Sequence, residues 1–299
     1  MQVIVLGSAA GGGVPQWNCR CPVCRLAWSG DPRVEPRTQS SIAVSAGEHA
    51  WVLLNASPDL RAQIAATPAL QPKFGERDSP IRAVVLTNGD VDHIAGLLSL
   101  RESQPFDIYG TQDTLGLIRE NQVFDVVAPT LAPRRPAAFG VPFHPAPGLE
   151  MEFFTVPGKV PLWREDAGLV IGEETGSTVG VTITANGRRL VYVPGCAAVT
   201  PALRERIAGA DLLFFDGTLY RDDEMIAAGV GTKTGARMGH LSMSGMEGTM
   251  ALLKDVPVAR RVFIHINNTN PALIDGSDER RAVEAAGWAV ARDGMEFSL

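Results

Sequence analysis

No stretch of this chain approaches the ~20 unbroken apolar residues that a membrane-spanning helix needs. The apolar opening, residues 1–6, breaks at once into Gly7-Ser8-Ala9-Ala10-Gly11-Gly12-Gly13 and has no basic flank. It does not read as a secretory signal, and the chain is expected to be soluble and cytoplasmic, with no membrane partner. Positive charge is in short supply: 27 Lys and Arg against 33 Asp and Glu give a net charge of −6, with a pI near 5.4. A broad nucleic-acid footprint needs a basic face, so extended polyanions are excluded, while a small ligand in a locally basic pocket is not. Histidine is scarce, five in 299 residues, so each can be weighed singly. Cysteine is scarce too. Four residues, three of them within six positions, make no disulfide framework; in a cytosolic chain such a cluster more often binds metal. Repeats, low-complexity tracts and runs of one charge are absent. Apolar side chains are plentiful, 45% against 20% charged, enough for a full core. The length fits one large domain or two halves of one.

Strand and helix signals alternate. Residues 2–6 read as a strand running into a glycine loop. Residues 41–45 and 51–54, split by Gly47-Glu48, read as a hairpin. Ser57-Pro58-Asp59 opens a helix, with Ser as cap and Pro at its first position. Residues 82–86 form a strand that runs into 87–93, and 94–100 a helix. The clearest hairpin joins 178–184 to 189–193 through Asn186-Gly187. Then come a helix over 203–208, a strand over 212–215, a helix over 244–253 and a strand over 260–265. A helix over 280–286 and short strands near Trp288 and Phe297 finish the chain. The pattern supports α/β or α+β, with two sheets sandwiched by helices.

Cys19, Cys21 and Cys24 supply three thiolates at C-x-C-x-x-C spacing. Zinc prefers four tetrahedral ligands, and a tight turn gathers close-spaced sulfurs around one ion. The fourth ligand must come from elsewhere: Cys196, a histidine or a side chain near His265. Reduced structural thiols are the plainer alternative, and no thioredoxin-like context supports a redox pair. Residues Thr87-Asn88-Gly89-Asp90-Val91-Asp92-His93 lie between a strand and a helix, where a loop can aim several side chains at one point. Two carboxylates and an imidazole within four residues suit a metal, but Asp92 also suits a helix N-cap. His49 and His144 have no partner motif and read as structural or exposed. Arg221, Lys233 and Arg237, set among glycines, suit either a solvated loop or one that orders over a carboxylate-rich substrate. Trp17 and Arg20 could reach a pocket, though Trp17 packing on the cysteine turn is the simpler account.

This segment resembles the H-x-H-x-D-H motif of the metallo-β-lactamase superfamily, with Asn88 and Asp90 where its first two histidines stand. Residues 3–15, Asn55-Ala56-Ser57-Pro58-Asp59, residues 191–196 and 212–215, His240-Leu241-Ser242 and the tail His265-Ile266-Asn267-Asn268-Thr269-Asn270-Pro271 match in order. They resemble the tRNA-processing and phosphonate-pathway phosphodiesterase branch, which can carry a C-x-C-x-x-C zinc knuckle. Within it, the N-x-D-x-D-H variant, Trp17-Asn18-Cys19-Arg20-Cys21 and the H-I-N-N-T-N-P tail resemble the B-protein family of pyrroloquinoline quinone (PQQ) biosynthesis. The resemblance spans residues 1–299. It implies a four-layer αββα sandwich in one domain, with a zinc-knuckle loop at about 17–25.

The departures bear on chemistry. The resemblance implies that hydrolytic relatives hold two bridged metals, and that the first metal's ligands are lost here: Asn88 and Asp90 replace its histidines, residues 156–159 offer none, and Gly195-Cys196 stands at the bridging aspartate. A dinuclear hydrolase site therefore cannot form. Asp92, His93 and His265 survive. Two histidines and one carboxylate with open positions are the ligand set of non-haem Fe(II) oxygenases. The resemblance implies iron- and O2-dependent hydroxylation of the tyrosine ring of a Glu–Tyr-derived PQQ precursor, with that precursor and O2 as partners. A single-zinc hydrolase and a PQQ or precursor carrier without turnover stand as alternatives, and a homodimer is left open. Asp216 stands where relatives keep an acidic partner for a histidine matching His240, a pair able to move a proton. Asp90 is either a fourth ligand or a hydrogen-bond partner. Asn268, three residues after His265, is the expected fourth ligand of the structural zinc held by Cys19, Cys21 and Cys24. Cys196 is expected as a small buried thiol or a neighbour of the metal.

Overall fold

Near-continuous apolar runs give the central strands two buried faces, one toward each neighbouring layer, and that double burial assembles the protein. The computed structural model describes residues 1–47, 49–159 and 171–299; Glu48, in the turn predicted at Gly47-Glu48, lies outside them. The first sheet contains β1 (Gln2–Gly7), β2 (Ser41–Ser45), β3 (Trp51–Leu54), β4 (Ile81–Val85), β5 (Asp107–Gly110) and β6 (Arg134–Pro136). The second contains β7 (Phe143–Ala146), β8 (Leu149–Thr155), β11 (Val179–Ala185), β12 (Arg188–Val193), β13 (Leu212–Asp216), β14 (Arg261–Ile264) and β15 (Trp288–Val290), while β9 (Gly158–Lys159) and β10 (Ile171–Glu173) form a small ribbon. The last strand, β16 (Glu296–Ser298), returns antiparallel to β1 and brings the first sheet to seven strands. The predicted hairpins at 41–54 and 178–193 both form.

Val3 and Val5, Ile42 and Val44, and Val52 and Leu54 face the second sheet, where they share one core with Phe153, Val181, Tyr192 and Phe214. The alternate positions, Ile4, Leu6, Leu53 and Val84, pack outward on Leu60, Ile94, Leu97 and Leu115. On the far side Val191, Val193, Leu213 and Phe215 meet Leu203, Ile207, Leu253 and Val283. Helix, sheet, sheet, helix is the result: the four-layer αββα sandwich of the metallo-β-lactamase fold. Each large side chain so buried contributes about 1.5–3 kcal/mol.

Some predicted helices shift. The helix expected at 57–59 begins at Leu60, because the Ser57 hydroxyl accepts from the Asp59 amide at 3.2 Å and closes a turn first. The helix expected over 94–100 splits into Val91–Ile94 and a 3-10 turn, Ala95–Leu100. The one expected over 244–253 shrinks to Thr249–Leu252, because Gly245 adopts φ +92 and starts a turn.

Candidate metal centre

Asn55, at φ +66, closes the end of β3. Its side-chain oxygen accepts from the Thr87 amide at 2.9 Å, and its amide nitrogen donates to the Thr87 hydroxyl at 3.0 Å. The following residue continues the clamp: the Ala56 amide donates to the His93 carbonyl at 2.7 Å and the Gly96 amide to the Ala56 carbonyl at 2.8 Å. A side chain at Gly96 would strike the Ser57 carbonyl, so glycine is required there. The Asn55-Ala56-Ser57 segment thus holds residues 87–96 in place. Asp90, not Asp92, occupies the N-cap position of Val91–Ile94, and its carboxylate makes no capping bond. The carboxylate of Asp92 therefore faces inward. Its Oδ1 lies 3.2 Å from His93 Nδ1 and its Oδ2 3.0 Å from His265 Nε2.

His265 reaches this point from the other sheet. It is the first residue beyond β14 and has φ +60, a backbone state that costs a non-glycine residue about 1–3 kcal/mol and clusters at functional sites. The Ile266 amide donates to Ser8 O at 3.0 Å, and the Ala10 amide to Ile266 O at 2.9 Å. These bonds pin the glycine loop after β1 to the end of β14. Gly11 lies over the carboxylate: a Cβ there would be 3.5 Å from Asp92 Cγ.

Thr218 is the hub beneath the imidazoles. Its hydroxyl is 2.7 Å from Asp216 Oδ1 and 2.9 Å from His265 Nδ1. The hydroxyl donates to the carboxylate and is placed to accept from His265 Nδ1–H, the tautomer in which Nε2 is the nitrogen that can take up a metal ion. Asp216 is fully buried and also accepts from Cys196 N at 2.9 Å, Thr218 N at 3.0 Å and His240 Nδ1 at 2.7 Å. Four donors use its acceptor capacity. Asp216, His240 and His265 lie close enough to suggest a second metal group, but Asp216 has no lone pair to spare and orients His240 instead.

Burial opposes ionisation of Asp92, yet the imidazoles of His93 and His265 hold its carboxyl well below the usual carboxylate range. Burial likewise opposes charge on His93 and His240, but Asp92 and Asp216 respectively outweigh it and raise both imidazoles. Burial works against the Asp216 carboxylate, and His240 more than compensates, lowering it.

The residues fit a single ion. Among the described residues, His93 Nε2 is buried with no hydrogen-bond partner and Nδ1 makes none of acceptable geometry, which is costly unless something else satisfies an imidazole. Ligand atoms at about 2.1 Å from one ion stand about 3 Å apart when adjacent, close to the spacing between Asp92 and His265. The three residues open on a cavity of about 480 Å3 whose walls include Asp90, Lys159, Lys233 and His240, within the size range of small-molecule sites.

A second donor group lies behind it. The sulfurs of Cys19, Cys21 and Cys24 converge to within 4.8 Å of one another. All three residues are buried, and burial pushes the Cys21 thiol up to about 12, so a cation is needed to hold that sulfur as a thiolate near neutral pH. Asn268 abuts them, its side-chain amide 3.2 Å from Cys24 Sγ and its carbonyl 3.3 Å from Cys21 Sγ. It thus offers two oxygens near the cluster, since the amide can also be turned oxygen-first.

The Beta-lactamase superfamily domain matches residues 50–266. Coenzyme PQQ synthesis protein B of Methylobacterium sp. (strain 4-46) is 61% identical over 299 residues, covering all of both chains. The chain belongs to the coenzyme PQQ synthesis protein B family. The crystal structure of Zn2+-bound PqqB from Methylobacterium extorquens superposes with a TM-score of 0.99 over the full length of both chains, at 61% identity. A diphosphatase of the PhnP family shares the fold, with a TM-score of 0.70 at 20% identity, covering 100% of this chain and 97% of its own.

In this PQQ synthesis protein B family member, the structure brings Asp92, His93 and His265 to one point, with Asp90 and His240 on the wall of the same cavity and Asp216 buried behind His240. It does not bring in every residue considered. Cys196 is a buried thiol bonded to Ala198 O at 3.1 Å, and only its amide serves the site, through Asp216. Trp17 is 83% exposed and covers neither pocket nor cysteines; Trp28 does the second task, donating to Cys19 O at 3.1 Å. Of the basic loop, Lys233 reaches the cavity while Arg221 and Arg237 do not line it, and neither does Arg20 of the cysteine turn. His49 packs edge-on to Phe74, and His144 is exposed on β7. Thr218 and Lys159 escaped sequence reasoning. A threonine two residues after a strand-end aspartate was the available signal for the first; no local signal marks the second. Among the described residues, no helix is long and apolar enough to cross a membrane.

Proposed function

We propose that this chain acts in PQQ biosynthesis as a non-haem iron hydroxylase, using O2 to place oxygen on the tyrosine ring of a Glu–Tyr-derived precursor. The observation that carries the reading is the convergence of Asp92, His93 and His265, two imidazoles and one carboxylate, on a cavity large enough for an organic substrate. The names of its relatives support the pathway, and the ligand set supports the metal. Asp92, His93 and His265 would hold Fe(II), which supplies O2 activation when bound. Cys19, Cys21, Cys24 and Asn268 would hold zinc as a structural ion; zinc is the metal named in the PqqB relative.

The chain's own groups take the proton work. With Nδ1 committed to Asp216 at 2.7 Å, His240 has Nε2 left to exchange a proton with a phenol. Asp216 and Thr218 fix both imidazoles from below. Asn88 turns its side-chain oxygen back to the Asp90 amide at 2.9 Å, so the 88–90 segment offers no imidazole to a second ion. Ring hydroxylation sends one oxygen atom to the product and the other to water, with two electrons from an external reductant.

Labelled oxygen provides the test. Iron-loaded protein, a tyrosine-containing Glu–Tyr peptide, ascorbate and 18O2 should yield a ring-hydroxylated product carrying 18O. Label entering only from H218O would identify hydrolysis, and no product with tight PQQ binding would identify a carrier.

A further inference from the structure

The cavity has chemically distinct ends. Asp90, Asp92, His93 and His265 form an acidic and imidazole end, while Lys159 and Lys233 line the same space in a chain of net charge −6. Met225 and Met238 supply apolar wall.

The two lysines are built in by different segments. Lys159 belongs to β9, where its carbonyl accepts from the Thr178 hydroxyl at 3.2 Å and Ile171 is its register partner. Its stem packs against Gly239. That glycine has φ +82, and a Cβ on it would stand 2.7 Å from Lys159 Cβ. Only glycine lets the backbone before His240 lie against the lysine, so His240 and Lys159 share one wall of the cavity. Lys159 is near enough that its charge opposes protonation of His240. Lys233 sits on the loop that leads to His240. Asp222 anchors that loop, its carbonyl accepting from the Gly235 amide at 2.9 Å and its carboxylate from the Ala236 amide at 2.7 Å. Glu224 ties the start of the loop by accepting from the Tyr220 amide at 2.7 Å. Both lysines are half-buried, which strengthens a charge-assisted bond relative to open solvent.

We propose that Lys159 and Lys233 are the carboxylate-binding residues of this cavity, holding a polycarboxylate substrate so that its aromatic ring is turned toward Asp92, His93 and His265. This assignment rests on the hydroxylase reading only for the identity of the ring-bearing substrate. An ion held by Asp92, with Asp90 beside it, leaves that end with little net charge, so the two lysines carry the attraction for free carboxylates and bias orientation as well as affinity. Lysine, a compact point charge, suits separate carboxylates presented at different angles better than one bidentate fork would.

Calorimetry on zinc-loaded protein without O2 separates recognition from turnover. N-acetyl-L-glutamyl-L-tyrosine should bind the wild type at least about tenfold more tightly than the neutral N-acetyl-L-glutaminyl-L-tyrosinamide. Lys159→Met and Lys233→Met should each weaken the charged peptide about tenfold and leave the neutral one unchanged, while Lys159→Arg retains most of the affinity. Melting curves and zinc content check that each variant is folded, and the two positions lie on separate segments. No preference in the wild type, equal losses for both peptides, or unchanged binding in both Met variants would overturn the assignment. Failure to hydroxylate with this binding pattern intact would count against the catalytic reading alone.

Discussion

At Asp216 four hydrogen bonds converge on one buried carboxylate, and through Thr218 it governs two imidazoles at once. Thr218→Val removes the hydroxyl and keeps the shape. His265 then loses its Nδ1 acceptor, and such outer-shell losses typically cost 10–100-fold in metal affinity. Competition with a chelator should show a drop of about that size at the active site with the thiolate zinc undisturbed. Asp216→Asn acts on the other imidazole: without the carboxylate that raises it, His240 should titrate lower, visible in its ring proton shifts. Glu224 makes a pH prediction. Burial pushes its carboxyl up from 4.5 to about 7. The folded state therefore binds more protons than the unfolded one between those values, so its contribution is full below about 4.5 and is lost as pH rises through about 7. Glu224→Gln should flatten that decline in the thermal midpoint across pH 5–8, and an unchanged slope would contradict it. At this scale the sequence was readable where ligands are neighbours, as with Asp92 and His93. His265, 172 residues beyond His93, was readable only by resemblance, and the hub role of Thr218 exists only once β13 and β14 lie side by side.

Among the elements, the cysteine turn makes the sharpest prediction. Cys21 is buried against Asn268, so an ion bound there would join the loop at 17–25 to the segment after β14. Cys21→Ser should lose one zinc and lower the melting temperature by roughly 5 °C, the size expected for about 3 kcal/mol in a chain of this length. Retention of both metal and melting point would show the sulfurs to be inert packing. Strands such as β1, β11 and β12 were legible because their short β-branched apolar runs, bounded by glycine or an Asn-Gly turn, are a local pattern. The strands from β5 to β7 were not: three or four residues long, with Arg134, Arg135 and Pro136 in one of them, they form because neighbouring strands supply the partners. The helix Gln112–Glu120 was missed for a similar reason, since its buried Leu115 and Ile118 become a stripe only against the first sheet.

For the molecule as a whole, the sandwich sets the ends of β3, β4, β13 and β14 against the glycine loop after β1, and the site lies across the two sheets. Asp92 and His93 come from one sheet and His265 from the other, so the ligand set is complete only when the sheets are docked. The central claim is that this set is a single metal centre that turns over O2. The most direct measurement is metal content together with O2 uptake on anaerobically iron-loaded protein, wild type against His93→Ala, with a Glu–Tyr peptide and a reductant. The account predicts about one active-site iron and peptide-dependent O2 consumption matched by ring hydroxylation in the wild type, both lost in the variant while the thiolate zinc remains. Equal uptake in the two proteins, or no peptide-dependent uptake in an iron-loaded wild type, would contradict it.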